Sequence, residues 1–530
     1  ERERMEKEGV TLAPDAEKES YNEQFYLYLA LTKASEQVIL TYSVMTSKGE
    51  SKRPSYLINR VKQVFPKLVV EKEEMDTSYE KIMGSDKGKS YLISHLADGS
   101  YAKDVIWWEI ASHYEKKTPG ILKDLLGIRE KRAGNNSLKK EAAKRLFGDV
   151  LYGSVTRFEQ YVQCPFAFFA HYGLLLNERQ QYEISSLDHG NLFHQAMEHL
   201  SHELEQRNKN WQDLSEEEAV LLAAECVDAV AERYQGRKYF QSNRVSFMLK
   251  RLKNEVVHSV WAMWHQMQEG DFVQTYTEKG FRGNDKEWES MCIPFGEDAK
   301  ICLNGVIDRV DLCSLPGEEL IKIIDYKSSD SQDLLLAKVY YGLQMQLLTY
   351  LEAAKEMVEK EHKGKEAVPA AMLYYAIKEK NLDWKPESEE EYEKRVLDSM
   401  KCKGYVNEEP EIIGHLDKSV VNGGELIPGQ KSGVVPVAVD KKGLLKKNSG
   451  ALSTKDFETL IAHTKEKMKE CGKAILDGKI EAIPYVYEDN DGCTYCPYGS
   501  VCGYESKKDG VREMKKMSDD EVWEALYGDD

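Results

Sequence analysis

The chain has 530 residues, 41% apolar and 31% charged, with a net charge of −18 at pH 7. That length exceeds one ordinary hydrophobic core, and the composition excludes a disordered or fibrous chain, so two or more globular domains are expected. No apolar run approaches a membrane span and the opening Glu1-Arg-Glu-Arg4 lacks signal-peptide architecture, which predicts a soluble, cytoplasmic protein with no membrane partner. The acidic balance argues against indiscriminate phosphate binding but leaves room for a local basic groove. Arg129–Arg145, Arg233–Lys253 and Lys441–Lys447 are the stretches able to supply one.

In chain order, the first ~20 residues are charged and expected to fray. Phe25–Glu36 reads as a short helix running into a buried strand, Gln37–Tyr42, rich in β-branched residues. Residues 52–150 look helical. Gly84-Ser-Asp-Lys-Gly88-Lys89-Ser90 invites comparison with a phosphate-binding loop, but it is one residue short between its glycines and follows no apolar strand. No ATP-binding loop is therefore assigned. Helices are predicted over 156–175, 189–206, 215–234 and 244–268, then strands over 289–294, 299–313 and 319–327. A long helix (333–361), an apolar strand (Ala370–Ile377) and a loop-rich, acidic stretch (380–450) follow. Ser453-Thr-Lys-Asp456 reads as a capping box opening a helix to about 477, and Ser506–Asp530 reads as a charged helical tail.

Ten cysteines in an intracellular chain argue for thiols and metal sites rather than a disulfide framework. Cys493, Cys496 and Cys502 are spaced C-x2-C-x5-C, and Cys164 stands alone in Tyr161-Val-Gln-Cys164-Pro165-Phe166. Three bunched thiolates can share one ion or cluster, and a tetrahedral site needs a fourth ligand. With Cys164 as that fourth ligand, the site ties together the two ends of one domain. The other six, Cys226, Cys292, Cys302, Cys313, Cys402 and Cys471, are expected to be buried, inert thiols.

Leu303-Asn-Gly305-Val-Ile-Asp308-Arg-Val-Asp311 and Ile323-Ile-Asp325-Tyr326-Lys327 flank a turn signal, Pro316-Gly317. A hairpin folded there sets Asp308 nearly opposite Asp325, on one face of a sheet. Two carboxylates so close call for a cation, and Mg²⁺ suits their oxygens. Lys327, two residues past Asp325, shares its face and can position or deprotonate a water. The bland alternative makes these solvent-exposed strand residues; the apolar flanks Val306, Ile307, Val310, Ile321, Ile323 and Ile324 speak against it. His194 lies on a helix, with Glu198 one turn later, and its imidazole is able to complete a metal shell. Gln346 and Tyr350, one turn apart in an otherwise apolar helix, should hydrogen-bond something specific.

G-x-x-D, D-Y-K and Q-x-x-x-Y, with an upstream helical histidine, resemble the RecB-like nucleases of the PD-(D/E)XK superfamily. The Y-x-x-C-P-F motif and the terminal C-x2-C-x5-C look like its iron–sulfur-stapled members, among them the CRISPR-associated RecB-like exonucleases and the AddB subunits of AddAB helicase–nucleases. Tyr28-Leu-Ala-Leu-Thr-Lys33 is similar to the last motif of superfamily 1 helicases, with Lys33 where an arginine usually contacts the nucleotide. The 150 residues ahead of the nuclease motifs favour the AddB branch.

The resemblance implies an α/β fold: a PD-(D/E)XK core of mixed sheet flanked by helices, behind a mainly helical, helicase-like remnant. It divides the chain into a helicase-like part without a P-loop (1–150), a nuclease domain (151–505) and the tail (506–530). It further implies Mg²⁺ on His194, Asp308 and Asp325, Lys327 as catalytic lysine with Gln346 and Tyr350 in support, and a [4Fe–4S] cluster on Cys164, Cys493, Cys496 and Cys502. The expected activity is Mg²⁺-dependent DNA hydrolysis, exonuclease-type and on the 5′-ended strand, in double-strand-break repair by homologous recombination. Its expected partners are DNA ends, single strands and an AddA-type helicase–nuclease subunit in a heterodimer. Two other readings are a non-enzymatic DNA-binding scaffold with a structural metal site, and a zinc staple in an unrelated protein.

Overall fold

The computed structural model describes residues 7, 15–45, 51–71, 85–98, 105–132, 137–178, 186–235, 243–282, 288–296, 299–327, 333–377, 382, 388–488, 490–504 and 510–528. The chain divides into two compact units, Glu1–Leu126 and Gly127–Asp530.

The described regular elements of the first unit are helices, with a small core of Leu92, Leu96, Trp107, Ala111 and Tyr114. Its first helix spans Ala16–Thr32, is capped by Asp15 and buries no residue; Lys33 is its C-cap. The strand expected over Gln37–Tyr42 does not form: that stretch is irregular and open, with Ile39 74% exposed. β-branched residues favour a strand only where a neighbour pairs with them, and no described residue of this unit does. Ser85–Ser90 lie inside the helix Ser85–Asp98, whereas Gly84 falls outside the described residues.

The second unit is built on β1 (Val150–Gly153), α1 (Val155–Gln163), α2 (Ser186–Gln206), α3 (Glu216–Gln235) and α4 (Asn243–Gln268). After these come β2 (Val273–Phe281), β3 (Met291–Phe295), β4 (Ala299–Leu303), β5 (Gly305–Leu315) and β6 (Glu318–Lys327). The chain continues through α5 (Gln346–Glu361), β7 (Glu366–Ala376), β8 (Lys403–Asn407), β9 (Ala451–Leu452), α6 (Thr454–Leu476) and α7 (Asp519–Tyr527). The helix predicted over 156–175 breaks at Cys164-Pro165 into α1, one turn over Pro165–Phe168 and a π-turn over Phe169–Gly173, because proline donates no N–H to α1. The helix predicted over 333–361 is likewise two, Leu336–Tyr340 and α5, separated by Gly342 at φ +78°.

Six strands form a mixed sheet in the order β9-β8-β7-β6-β5-β2. β5 and β6 are antiparallel about a two-residue turn, with Leu315 opposite Glu318. β6 and β7 are parallel, and such a pair needs a long crossover, which α5 supplies. Helices cover both faces, so β5 and β6 are buried almost throughout instead of on alternate residues. α1, α5, α6 and α7 pack on one face with Ile321, Ile323, Val310 and Leu312, and α2, α3 and α4 pack on the other with Leu320, Ile324 and Tyr326. The C-terminal segment packs with that first layer: Val522 of α7 is buried and Tyr527 donates to Asp456 Oδ1 at 2.6 Å.

A second, three-stranded sheet runs β1-β4-β3. The run predicted as one strand over 299–313 is thus two strands in two sheets, parted at Asn304. In that small sheet Cys292 faces Cys302 across the β3–β4 pair, and the two are joined in a disulfide. This corrects the expectation that both are inert thiols: cross-strand register places their sulfurs together. Cys226, Cys313, Cys402 and Cys471 are buried free thiols.

Candidate active site

The C-terminal end of β6 and the start of β5 each carry a buried carboxylate, Asp325 and Asp308. Arg309 lies opposite Ile324, so the next pair along is Asp308 and Asp325, on the face shared with Val310 and Ile323. Asp308 Oδ2 accepts from the Tyr326 N–H at 2.7 Å. Asp325 Oδ1 accepts from Gln346 Nε2 at 3.1 Å, and its Oδ2 lies 2.5 Å from Lys327 Nζ in an ion pair that lacks hydrogen-bond angles. Burial pushes the Asp308 carboxyl well above the usual range, and the neighbouring Asp325 adds to it. Asp325 is also raised by burial, with Lys327 pulling the other way.

α2 brings His194 to the same place. Its Nδ1 is 2.7 Å from Glu278 Oε1 and 3.6 Å from Asp308 Oδ1. Burial lowers its basicity, but the bond to Glu278 and the charge of Asp308 outweigh that and raise the pKa overall. His194, Glu278 and Asp308 are the one trio among the described residues whose ligand atoms all lie within 4.8 Å of one another. Asp325 stands beside this trio, engaged by Lys327 and Gln346.

Sequence reasoning missed Glu278. β2 places Thr277 opposite Arg309 and Lys279 opposite Ile307, so Glu278 faces Asp308 across the pair. Its backbone sits at φ +47°, a conformation that costs a non-glycine residue about 1–3 kcal/mol and that clusters at functional sites. Tyr276-Thr-Glu-Lys279 is too polar to announce a strand, and the sole signal in the sequence is a lone acid one strand upstream of the hairpin.

α5 supplies Gln346 and Tyr350. Gln346 Oε1 accepts from Lys327 Nζ at 3.0 Å, and its Nε2 donates to Tyr350 Oη at 3.1 Å as well as to Asp325. Lys327 also sits 5.3 Å above the Tyr374 ring. Gly305, the glycine of G-x-x-D, has a steric cause: a Cβ there would lie 2.6 Å from Phe281 Cζ and 3.1 Å from Tyr350 Cε1. Gly305→Ala is therefore expected to cost ~1–3 kcal/mol through overpacking, read as a lower urea midpoint with an unchanged slope. An unchanged midpoint would show that these rings yield freely.

A second missed acid, Glu159 on α1, accepts from the N–H groups of Met345 (2.6 Å) and Gln346 (3.2 Å). Burial raises its carboxyl to about 7, against the pull of those N–H groups and of Lys327.

The donor set suits a divalent cation. Glu278 and Asp308 set oxygen donors beside one imidazole, and Asp325, next to them, pairs through Oδ2 with Lys327.

Cys164 caps the end of α1, buried against Ala167, Ala170 and Tyr498, with Cys496 packed on the same cluster. Asp491 Oδ1 organises the loop beyond by accepting from the N–H groups of Cys493 (3.0 Å) and Thr494 (2.6 Å). Tyr498 donates to Leu176 O at 3.0 Å, and a Cβ on Gly492 would lie 2.9 Å from Gln163 O, so the loop abuts the end of α1 closely. Burial raises the Cys493 thiol to about 12, and charges on Asp491, Cys164, Cys496 and Cys502 push the same way. No three of the four sulfurs lie within 4.8 Å of one another.

Where they are described, the basic stretches spend much of their charge on neighbouring acids. Lys140 pairs with Asp477, Lys144 with Asp149, Arg251 with Glu255, Lys253 with Asp228 and Lys447 with Asp520. Among the described residues no helix is long and apolar enough to cross a membrane.

Residues 153–503 match the family model of the PD-(D/E)XK nuclease superfamily. The chain is 34% identical over 98% of its length to a Lachnoclostridium phytofermentans protein named as the B subunit of an ATP-dependent helicase/deoxyribonuclease, covering 44% of that protein. Proteins of the same name from Clostridium perfringens (31%) and Alkaliphilus oremlandii (28%) match over 99% of the chain and 46% of their own length. The chain thus spans less than half the length of these relatives. With two thirds of it covered by one family model, the chain belongs to the PD-(D/E)XK nuclease superfamily.

Proposed function

We propose that this chain is the C-terminal part of an AddB-type helicase/deoxyribonuclease subunit, and that its site hydrolyses DNA phosphodiester bonds with Mg²⁺. The observation that carries this reading is the convergence of Asp308, Asp325, Lys327 and Gln346, from two strands and one helix, on one buried patch beside His194 and Glu278.

Asp308, Asp325, Glu278 and His194 are the residues that would hold the ion. Bound there, Mg²⁺ supplies charge for the scissile phosphate and a lowered pKa for the attacking water. Lys327 orients that water or takes its proton, held in place by Gln346 Oε1 and Asp325. Tyr350 fixes the far side of the Gln346 amide. A bound cation would favour the ionised forms of Asp308 and Asp325, offsetting the burial that raises both carboxyls and the nearby charges that add to it, Asp325 and Glu278 for Asp308 and Glu278 for Asp325.

The four cysteines are assigned a [4Fe–4S] cluster. What supports this reading is the C-x2-C-x5-C spacing of Cys493, Cys496 and Cys502 and the packing of Cys496 on the cluster that buries Cys164. The further expectations are action on the 5′-ended strand of a DNA break during recombinational repair, and pairing with an AddA-type subunit.

The test is cleavage of linear DNA with and without Mg²⁺, run beside the absorption spectrum and metal content. DNA retained without any Mg²⁺-dependent product would favour a non-enzymatic scaffold. A colourless protein carrying zinc would remove the cluster. Glu278→Gln is expected to weaken Mn²⁺ binding by calorimetry ~10-fold or more while leaving DNA affinity in EDTA unchanged. Equal Mn²⁺ affinity would take Glu278 out of the ligand set.

A further inference from the structure

We infer that Glu159 is a positioning residue of this site, holding the start of α5 so that Gln346 bridges Lys327 and Asp325. The inference rests on the nuclease reading above. The first N–H groups of any helix lack intrahelical acceptors, and a side chain at the N-cap usually serves them. α5 has no such cap: Met345, at its N-cap position, gives no side-chain bond. Glu159 supplies the acceptor from α1 instead, through one oxygen shared by Met345 N–H and Gln346 N–H. A carboxylate there also suits the positive end of the helix.

Gln346 is the first residue of α5, so the same bond that caps the helix fixes the backbone from which the Gln346 amide reaches Lys327 at 3.0 Å and Asp325 at 3.1 Å. Glu159 is placed in turn by α1, whose last residue precedes Cys164. One short helix therefore joins the cysteine loop to the catalytic lysine. The hydrogen bonds of Glu159 go to the α5 backbone, so its action on Lys327 and Asp325 passes through Gln346.

The experiment compares Glu159→Ala, Glu159→Gln and Gln346→Ala, singly and as the Glu159→Ala/Gln346→Ala pair, in the full chain. Displacing a catalytic group by about 1 Å costs up to ~100-fold, so Glu159→Ala should lower kcat ~10- to 100-fold with KM for DNA within ~2-fold of wild type. Glu159→Gln keeps an acceptor oxygen and should recover most of kcat. In the Gln346→Ala background the Glu159→Ala loss should vanish, as expected of residues acting in series. In metal-free protein, amide exchange at the first turn of α5 should speed up in Glu159→Ala and not in Glu159→Gln. Wild-type kcat in Glu159→Ala, no recovery in Glu159→Gln, or losses that multiply in the pair would each overturn the inference. A wild-type chain that fails to cleave DNA would instead overturn the nuclease reading itself. Should Glu159→Ala unfold, the glutamine variant and amide exchange at α5 decide.

Discussion

Asp325→Ala is expected to abolish Mg²⁺-dependent DNA cleavage while the protein keeps its fold and, with the proposed cluster, its colour. Asp325 is 2% exposed and faces the buried Asp308, with one oxygen that no hydrogen bond satisfies. Alanine leaves Lys327 without its ion-pair partner, but Gln346 Oε1 still accepts from that lysine and the repulsion between Asp325 and Asp308 is relieved, so the fold is expected to survive. Catalysis loses a proposed metal ligand and the ion-pair partner that holds Lys327 at 2.5 Å. If these together withdraw ~4 kcal/mol of transition-state stabilisation, the rate falls about a thousandfold. The Asp308 carboxyl should drop towards its ordinary range once the Asp325 charge is gone, since that charge helps to raise it. Initial rates on linear DNA, with thermal unfolding and visible absorption as controls, measure the activity, the fold and the colour, and carboxyl NMR shifts with pH read Asp308. Cleavage at the wild-type rate would end the assignment of this site.

How much of the site was legible follows from where its signals lie. The hairpin was readable because Pro316-Gly317 sits between two runs that are apolar on both faces, and a two-residue turn leaves a single register for Asp308 and Asp325. Lys327 came with it, two residues along one strand. Gln346 and Tyr350 stood out as polar groups in an apolar helix, and their partners proved to be each other, Lys327 and Asp325.

What escaped depends on pairings that no local pattern encodes. Glu278 lies on a polar strand whose role comes from the partner opposite it and from a left-handed backbone. Glu159 looks like any surface acid of a short helix until α5 is laid against it. The run 299–313 has uniform strand chemistry but divides at Asn304 because its halves join different sheets. Gln37–Tyr42 shows the converse: strong β propensity without a partner leaves an exposed, irregular segment.

Cys496→Ala is expected to bleach the broad absorption near ~400 nm of an iron–sulfur protein and to loosen the whole second unit. Sharing the proposed cluster, the four cysteines would close a loop of ~330 residues, and by analogy with a disulfide such a crosslink removes about 6 kcal/mol of denatured-state freedom. For a unit this large that is a fall in Tm of roughly 5 °C or more. The loss should not stay at the C-terminus. Cys164 ends α1, the loop backbone at Gly492 presses on Gln163, and Arg512 Nη2 donates to Val162 O, so releasing the loop frees the helix that carries Glu159. Cleavage should therefore fall although the cysteines take no part in the bonds around Asp308, Asp325 and Lys327. The signature that separates this from a chemical role is order: in a temperature series, absorbance, protease resistance and amide protection of α1 are lost together, and activity follows them. Cys164→Ala should reproduce the effect from the other end of the loop. A Cys496→Ala protein with wild-type Tm and full activity would show that the fold needs no staple, and that the cysteine loop holds itself through Asp491, Tyr498 and Arg512 alone.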